Sequence, residues 1–476
     1  RWLNGPPPTT DTMVWPAVST GRKPSATLSM SHGLTAMTTM SAAAAASIML
    51  TSAGCSLGTS IDTLMAPPKL SVEQEQIYNA LTDAAGTSIS LKYPKSGKYL
   101  SAFIVEDIDG DGGNEAVVFY EKSSLALEEN TLRINILDRD GDKWRSVCDT
   151  PADGAEIEKV MISKLGSNGR INLIIGSSLI NRSEKNVSMY VYADGTIEQT
   201  FSSAYSFFDV TDLDSDDENE FLLLSGSVAG APAQAEAYKL DDVGIYHKYS
   251  RELSGSFTEF DSLSYGAIGG GKTGLYIDAV SGTGLIQTDI IYMDSSGLGK
   301  VFETPEESLS TVRPSGCASL DVDSDGIPEI PVQTISPGYE EVSESEQLKL
   351  TNWLCLNENN ELKQKYSSYY SVNDGYIFIF PEKWQDRVTV KRDSVNDEIV
   401  FCEYRSGKTG RELMRICCTK DSPSRDDRIS SGYILLRTKG DSAYLAYIPP
   451  NVSTAYDDNL SVTAGDAAVG IRFPTD

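Results

Sequence analysis

The chain has 476 residues, a formal net charge of −28 and a composition of 40% hydrophobic and 23% charged residues. This length exceeds that of one ordinary domain and allows a large buried core. The negative charge argues against nucleic acid as a partner and against docking on anionic lipid through a basic patch. Because there are only two histidines, His32 and His247, Ser-His-Asp catalysis and histidine-rich zinc sites are disfavoured.

Residues 1–54 are predicted to be a signal peptide or an over-extended leader. An Ala-rich apolar run at 41–50 precedes Cys55 and is too short to span a bilayer as a helix. The arrangement resembles a bacterial lipoprotein signal, which implies cleavage before Cys55 and lipidation of its thiol. Ser52 departs from the Leu usual at that position, and a plain secretory signal or a disordered tail are the alternatives. Residues 55–70 are predicted to be a tether.

A helix is predicted over residues 71–87. Ser71 and Gln74 have the spacing of a capping box, apolar residues follow at helical spacing, and Gly86 is a natural C-terminal stop. We expect this helix to pack at the entry to the next domain.

From residue 88 the hydrophobic period changes to two, which predicts β-strands. Short alternating stretches lie at 89–93, 102–105, 116–120 and 132–137, and turns rich in Gly, Asn and Asp separate them. A unit of roughly 50–55 residues with two hairpins recurs five times up to residue 371. Five units of four short strands favour a β-propeller, because radial repetition hides sheet edges.

Three loops within this region have the pattern D-x-D-x-D-x-x-x-E. They span residues 107–115, 212–220 and 321–329 and start 105 and 109 residues apart. Clustered carboxylates repel one another unless a cation lies among them, and a hard cation that prefers oxygen ligands is the natural candidate. The alternative is that Asp and Gly are only turn residues on a solvated surface.

The predicted ligands are the acids at positions 1, 3, 5 and 9 of each loop and the backbone carbonyl at position 7. In chain order they are Asp107, Asp109, Asp111, Gly113 and Glu115; Asp212, Asp214, Asp216, Glu218 and Glu220; and Asp321, Asp323, Asp325, Ile327 and Glu329. With water they supply six or seven oxygens, which suits Ca²⁺ better than Mg²⁺. The prediction is therefore up to three structural calcium sites.

The first loop and its flanking strands resemble the FG-GAP or VCBS repeat of calcium-binding propellers. The match covers roughly residues 88–370, and the whole chain is similar to bacterial VCBS-repeat lipoproteins. The resemblance implies a mainly β fold, a β-propeller with five detectable blades and up to seven. The second loop departs from the family at Asp217, where a glycine is expected, so Asp217 must adopt a positive φ.

Residues 372–476 continue the hairpin pattern without acidic loops, and a short helix is expected within 459–473. We expect a small separate domain, α+β or all-β; two further acid-free blades are the alternative. The six cysteines that follow Cys55 allow up to three disulfides or six free thiols.

The favoured function is that of a non-enzymatic binding or scaffold module. It would be extracytoplasmic, anchored by lipidated Cys55 to the outer face of the bacterial cell membrane, stabilised by calcium, and directed at a cell-wall glycan or a protein. The alternative is an extracytoplasmic polysaccharide hydrolase that uses carboxylates in the central channel of the propeller.

Overall fold

Six antiparallel sheets follow one another along the part of the chain that the computed structural model describes, residues 70–122, 132–167, 169–179, 184–228, 231–450 and 458–474. The fold is therefore mainly β, as expected. The predicted leader, the tether and Cys55 lie outside the described residues. None of the helices in the described ranges is long and apolar enough to cross a membrane.

The predicted N-terminal helix is confirmed as α1 (Val72–Ala85). The Ser71 hydroxyl accepts a hydrogen bond from the Gln74 N–H at 3.1 Å, and the Gln74 side chain accepts one from the Ser71 N–H at 3.0 Å, which completes the capping box. Gly86 ends the helix at φ 89°. The buried side chains of Ile77 and Leu81 pack on the first sheet.

The first three sheets contain thirteen strands. Sheet 1 has β1 Ile89–Leu91, β2 Phe103–Glu106, β3 Glu115–Lys122, β4 Leu132–Asp140 and β5 Lys143–Pro151. Sheet 2 has β6 Glu156–Lys164, β7 Ile171–Ser178, β8 Lys185–Ala193 and β9 Thr196–Tyr205. Sheet 3 has β10 Phe207–Thr211, β11 Glu220–Ser225, β12 Gln234–Leu240 and β13 Tyr246–Glu252. In sheets 2 and 3 each strand pairs with the next along the chain.

The last three sheets contain fifteen strands. Sheet 4 has β14 Phe260–Ile268, β15 Lys272–Gly282, β16 Leu285–Asp294, β17 Gly297–Lys300 and β18 Arg313–Pro314. Sheet 5 has β19 Ile330–Ile335, β20 Lys349–Leu356, β21 Leu362–Ser371, β22 Tyr376–Ile379 and β28 Ile471–Arg472. Sheet 6 has β23 Val388–Asp393, β24 Glu398–Arg405, β25 Lys408–Thr419, β26 Ile434–Lys439 and β27 Ser442–Tyr447. The later helices are α2 Pro305–Leu309, α3 Ser422–Ser430 and α4 Ala464–Gly470, with 3₁₀ turns at Gly269–Gly271, Glu344–Glu346, Glu382–Trp384 and Asp458–Leu460.

The inner strands of sheets 1 to 5 are apolar on both faces because each of these sheets is covered on both sides. In β3, Val117 and Phe119 pack toward sheet 2, whereas Ala116, Val118 and Tyr120 pack toward α1. Further core clusters join sheets 2 and 3, 3 and 4, 4 and 5, and 5 and 6. Within the described residues no core cluster joins sheet 6 to sheet 1.

The predicted boundary between residues 371 and 372 lies between two paired strands of sheet 5. β21 pairs with β22, and β28 near the C-terminus adds the last strand of the same sheet. Residues after 371 also form the whole of sheet 6 with α3 and α4, and α4 lies in the segment where a short helix was expected. Whether residues 372–476 fold by themselves stays a prediction.

The core between sheets 5 and 6 is rich in aromatic side chains. Trp384 and Phe401 are 0% exposed and Tyr376 is 1% exposed. The indole N–H of Trp384 donates to the Leu460 carbonyl at 2.8 Å, so its one polar group is satisfied in the interior. These rings therefore belong to the core.

The six cysteines after Cys55 are free thiols, which agrees with one of the two predicted alternatives. They are Cys148, Cys317, Cys355, Cys402, Cys417 and Cys418.

Candidate metal centre

Each of the three acidic loops leads into a strand of a different sheet. The first loop joins β2 to β3, the second joins β10 to β11, and the third precedes β19. In all three, the glutamate at position 9 accepts a hydrogen bond through Oε2 from the backbone N–H of position 2. The donors are Ile108, Leu213 and Val322, at 2.9, 2.8 and 2.9 Å. The glutamate therefore closes the loop through this hydrogen bond.

Positions 4 and 6 of each loop adopt left-handed backbone. These residues are Gly110 (φ 84°) and Gly112 (92°), Ser215 (62°) and Asp217 (68°), and Ser324 (62°) and Gly326 (86°). The positive φ predicted for Asp217 is confirmed. Three of these six residues are not glycine, and left-handed backbone is unfavourable for a residue with a side chain. The loop shape is therefore retained at some cost in free energy.

Each loop contains a set of three acidic side chains that are placed so that they can hold a metal ion. Within each group the oxygens lie within 4.8 Å of one another. The groups are Asp107, Asp109 and Glu115; Asp212, Asp214 and Glu220; and Asp321, Asp323 and Asp325. The predicted acids are thus largely brought together, and the identity of the ion stays a prediction.

The carboxylates at position 5 have a second role in the loops. Asp111, Asp216 and Asp325 accept hydrogen bonds from the backbone N–H of position 7 at 2.6, 3.0 and 2.9 Å. Asp111 and Asp216 lie outside the converging groups, as does Glu329 in the third loop. The ligand role predicted for the position 7 carbonyls of Gly113, Glu218 and Ile327 stays a prediction.

A lysine lies among the carboxylates of the second loop. Nζ of Lys239, on β12, is 3.1 Å from Asp214 Oδ2 and 3.5 Å from Glu220 Oε1, and it also donates to Asp216. The Glu220 side chain is 0% exposed and that of Lys239 is 23% exposed. The ammonium therefore neutralises part of this cluster at close range.

A lysine also lies among the carboxylates of the third loop. Nζ of Lys365, on β21, is 2.7 Å from Asp323 Oδ2, 2.6 Å from Asp325 Oδ2 and 2.7 Å from Glu329 Oε1. The Tyr366 hydroxyl donates to Asp323 at 2.6 Å. The three donors of the ammonium are thus matched to three carboxylates.

The first loop has an acid where the second has its lysine. β3 and β4 pair Ala116 with Leu137, so the next pair in register sets Glu115 opposite Asp138. β11 and β12 pair Phe221 with Tyr238, so the equivalent pair is Glu220 and Lys239. The strand position opposite the loop glutamate therefore carries a negative charge in sheet 1 and a positive charge in sheet 3.

Burial governs the electrostatics of the position 9 glutamates. Burial raises the pKa of Glu115 to about 7, and the negative charges of Asp109, Asp111 and Asp138 add to the rise. Burial likewise raises the pKa of Glu220 to about 7 and that of Glu329, but there Lys239 and Lys365 oppose the rise. Burial disfavours the charged form of Lys365, yet its hydrogen bonds to Asp323, Asp325 and Glu329 outweigh this and raise its pKa.

Sequence reasoning missed Asp138, Lys239 and Lys365, because all three lie outside the D-x-D-x-D-x-x-x-E pattern. Asp138 and Lys239 could have been found by aligning each loop glutamate with the hairpin strand that follows it. Lys365 could not, because it is the extra residue where the pairing of β20 and β21 shifts register, so simple alternation does not place it.

No family model matches the chain, and no curated protein matches it. Solved structures with some likeness include the exotype rhamnogalacturonan lyase YesX, at TM-score 0.25 and 10% identity over 66% of this chain and 61% of the lyase. Another is Saccharomyces cerevisiae Sqt1, at TM-score 0.29 and 10% identity over 71% of this chain and 93% of Sqt1. A third is an exo-β-1,3-galactanase from Phanerochaete chrysosporium, at TM-score 0.24 and 12% identity over 70% and 80%. The chain spans about three-fifths of the lyase, and likeness at this level carries no argument about function.

Proposed function

We propose that this chain is a calcium-stabilised, non-enzymatic binding module, held at the outer face of the bacterial cell membrane by a lipid anchor on Cys55. The observation that carries the proposal is the first acidic cluster. The oxygens of Asp107, Asp109 and Glu115 converge with no lysine or arginine of the described residues among them. Hard oxygen ligands in a flexible loop suit Ca²⁺.

The proposed architecture is a propeller-like array of blades. Six consecutive antiparallel sheets, each packed on the next through an apolar core, support it. Closure of the ring and the final number of blades belong to the proposal, as do the lipid anchor and membership of the VCBS or FG-GAP group. The proposed ligand is a cell-wall glycan or a protein.

Two buried acids outside the loops are held in ion pairs, which favours binding over hydrolysis. Asp278 is paired with Arg313 at 2.7 Å, and both side chains are almost fully buried. Glu398 is paired with Arg415 at 3.1 Å and also with Arg428. Glycoside hydrolysis requires two carboxylates free to contact the substrate. These buried acids are instead committed to structural ion pairs.

Thermal unfolding of the full-length chain in calcium and in chelator tests the proposal. At a calcium concentration 100 times the Kd, binding adds about 2.7 kcal/mol, which corresponds to a rise in Tm of roughly 3 °C. Glu115→Gln removes a converging charge, so we expect this variant to lose most of the rise. The Tm of Glu115→Gln in chelator should not fall below that of the wild type, because without calcium the substitution removes a buried charge that has no cation beside it.

Glu198→Gln on β9 is the matched control, since Glu198 is exposed and lies outside the acidic loops. It should keep the full calcium response. A wild-type chain whose Tm is the same in calcium and in chelator would refute the calcium-stabilised module.

A further inference from the structure

We propose that the cleft between sheets 5 and 6 binds one sugar ring, a monosaccharide unit of a glycan, through the side chains of Tyr369, Asp374 and Tyr376. This inference rests on the proposed function, because it gives that binding module a ligand site and selects a glycan over a protein. No residue of the three acidic loops lines this cleft, so sugar binding and calcium binding can be measured separately.

The cleft is small and polar. It opens between the turn that joins β21 to β22 and the strands β23, β24 and β25, and its volume is about 230 Å³. Since one water takes up about 30 Å³ in the liquid, the cleft has room for a compact polar molecule. It is smaller than the roughly 300–1,000 Å³ of sites for drug-sized ligands, which limits the ligand to about one ring.

The hydroxyl of Tyr376 is a polar group of the core that has no partner in the described part of the chain. Tyr376 is 1% exposed, and its ring packs against that of Tyr444 at 5.7 Å between centroids. Its contacts there are ring contacts, and no hydrogen bond joins its hydroxyl to a described residue. The charged groups nearest to this hydroxyl, Asp374 and Cys417 among them, line the cleft, so the hydroxyl faces the cleft. A buried hydroxyl requires a hydrogen-bond partner, which here comes from the molecule that fills the cleft.

Two further groups of the cleft are free to bind a ligand. The Tyr369 hydroxyl also makes no hydrogen bond to a described residue. Asp374 accepts from the Ser371 hydroxyl through Oδ2 at 2.7 Å, but within the described ranges no lysine or arginine pairs with it and Oδ1 has no partner. Arg392, in contrast, already donates to Asp397 at 3.0 Å. The cleft therefore offers two hydroxyls and one carboxylate oxygen.

The chemistry of these three groups selects a polyhydroxylated ligand. Burial raises the pKa of Tyr369 to about 12 and that of Tyr376 well above its usual value, so both phenols stay protonated at neutral pH. A protonated phenol requires an acceptor for its proton, whereas the Asp374 carboxylate requires a donor. An ammonium ligand supplies no acceptor and a carboxylate ligand supplies no donor. A sugar hydroxyl both donates and accepts, so adjacent hydroxyls on one ring match all three groups.

The test is sugar binding by the full-length chain. Glucose, galactose, mannose, rhamnose, N-acetylglucosamine and, as an amine, ethanolamine are screened by saturation-transfer difference NMR, and the Kd of each bound compound is measured by calorimetry. We expect at least one sugar to bind and ethanolamine not to bind. Tyr376→Phe should weaken sugar binding by up to about tenfold, and Asp374→Asn, which removes a charged acceptor, by about tenfold or more.

Two comparisons separate the loss of a contact from a loss of folding. The Tm of Tyr376→Phe without sugar should equal that of the wild type, because the ring is retained and the hydroxyl has no partner to lose. Tyr93→Phe is the matched control, since Tyr93 is 54% exposed and lies outside the cleft, and its Kd for the sugar should be unchanged.

Three outcomes would overturn the inference. They are no binding of any of the sugars, which would leave a cleft that holds water only; binding of ethanolamine and of no sugar; and a Kd for sugar that is the same in the wild type, Tyr376→Phe and Asp374→Asn. The rise in Tm with calcium, measured on the same samples, keeps the two proposals apart. A chain that retains this rise but binds no sugar would refute only the site, whereas a chain without the rise would refute the calcium-stabilised module.

Discussion

The first and third acidic loops have similar backbone and different charge. Both close through a glutamate that accepts from the N–H of position 2, and both turn through left-handed residues at positions 4 and 6. The first adds Asp138 beside its carboxylates, whereas the third has Lys365 among them. The loop motif therefore determines the backbone shape, whereas the neighbouring strands determine the charge that lies beside the carboxylates.

The largest expected effect comes from removing the internal cation of the third loop. Lys365→Met leaves three carboxylates without their ammonium, and the Glu329 side chain is 0% exposed. We expect a loss of roughly 3–5 kcal/mol in the free energy of unfolding, measured by urea denaturation in chelator. Calcium should restore part of this loss. Lys363→Met should change stability by less than about 0.5 kcal/mol, since it removes only an exposed pair.

The next effect concerns Asp289, a buried acid outside the three acidic loops. Its titration must be separated from that of the loop carboxylates. Asp289 is 0% exposed, accepts from the Ser254 N–H at 2.6 Å, and burial raises its pKa from 3.8 to about 6. The folded state therefore binds the proton of the Asp289 carboxyl more tightly than the unfolded state does. The stability that this proton contributes is present below pH 4 and is lost as the pH rises through 6.

Asp289→Asn should remove that loss. The stability of this variant relative to the wild type should therefore rise by roughly 3 kcal/mol between pH 4 and pH 7, measured by urea denaturation at several pH values. A constant difference across this range would contradict the assigned role of Asp289.

The smallest effect tests the shared backbone. Ser324 occupies the left-handed position at which the first loop has Gly110. Ser324→Gly should stabilise the chain by up to about 1 kcal/mol, because glycine adopts positive φ without a steric penalty. Ser324→Ala keeps the Cβ atom and should not stabilise. Equal melting temperatures for the two variants would show that the left-handed backbone at Ser324 carries no strain.

Much of the local structure could be predicted from the sequence. The capping box and Gly86 predicted the bounds of α1 to within two residues, and period-two alternation predicted four of the five strands of sheet 1. The acidic pattern predicted three clusters whose oxygens converge, and the position of Asp217 predicted its positive φ. These features depend on residues close together in the chain, so their pattern is readable without the fold.

The amino-acid sequence by itself determined the repeated sheets, the loop shape and the acidic clusters, because each arises from local periodicity or from backbone preferences. Only the tertiary structure decided the charge at each loop. Asp138 and Lys239 reach their clusters through strand pairing, and Lys365 through a bulge two strands away. The tertiary structure also placed β22 and β28 in one sheet across the predicted domain boundary, because pairing of strands distant in the chain depends on the packing of the whole array.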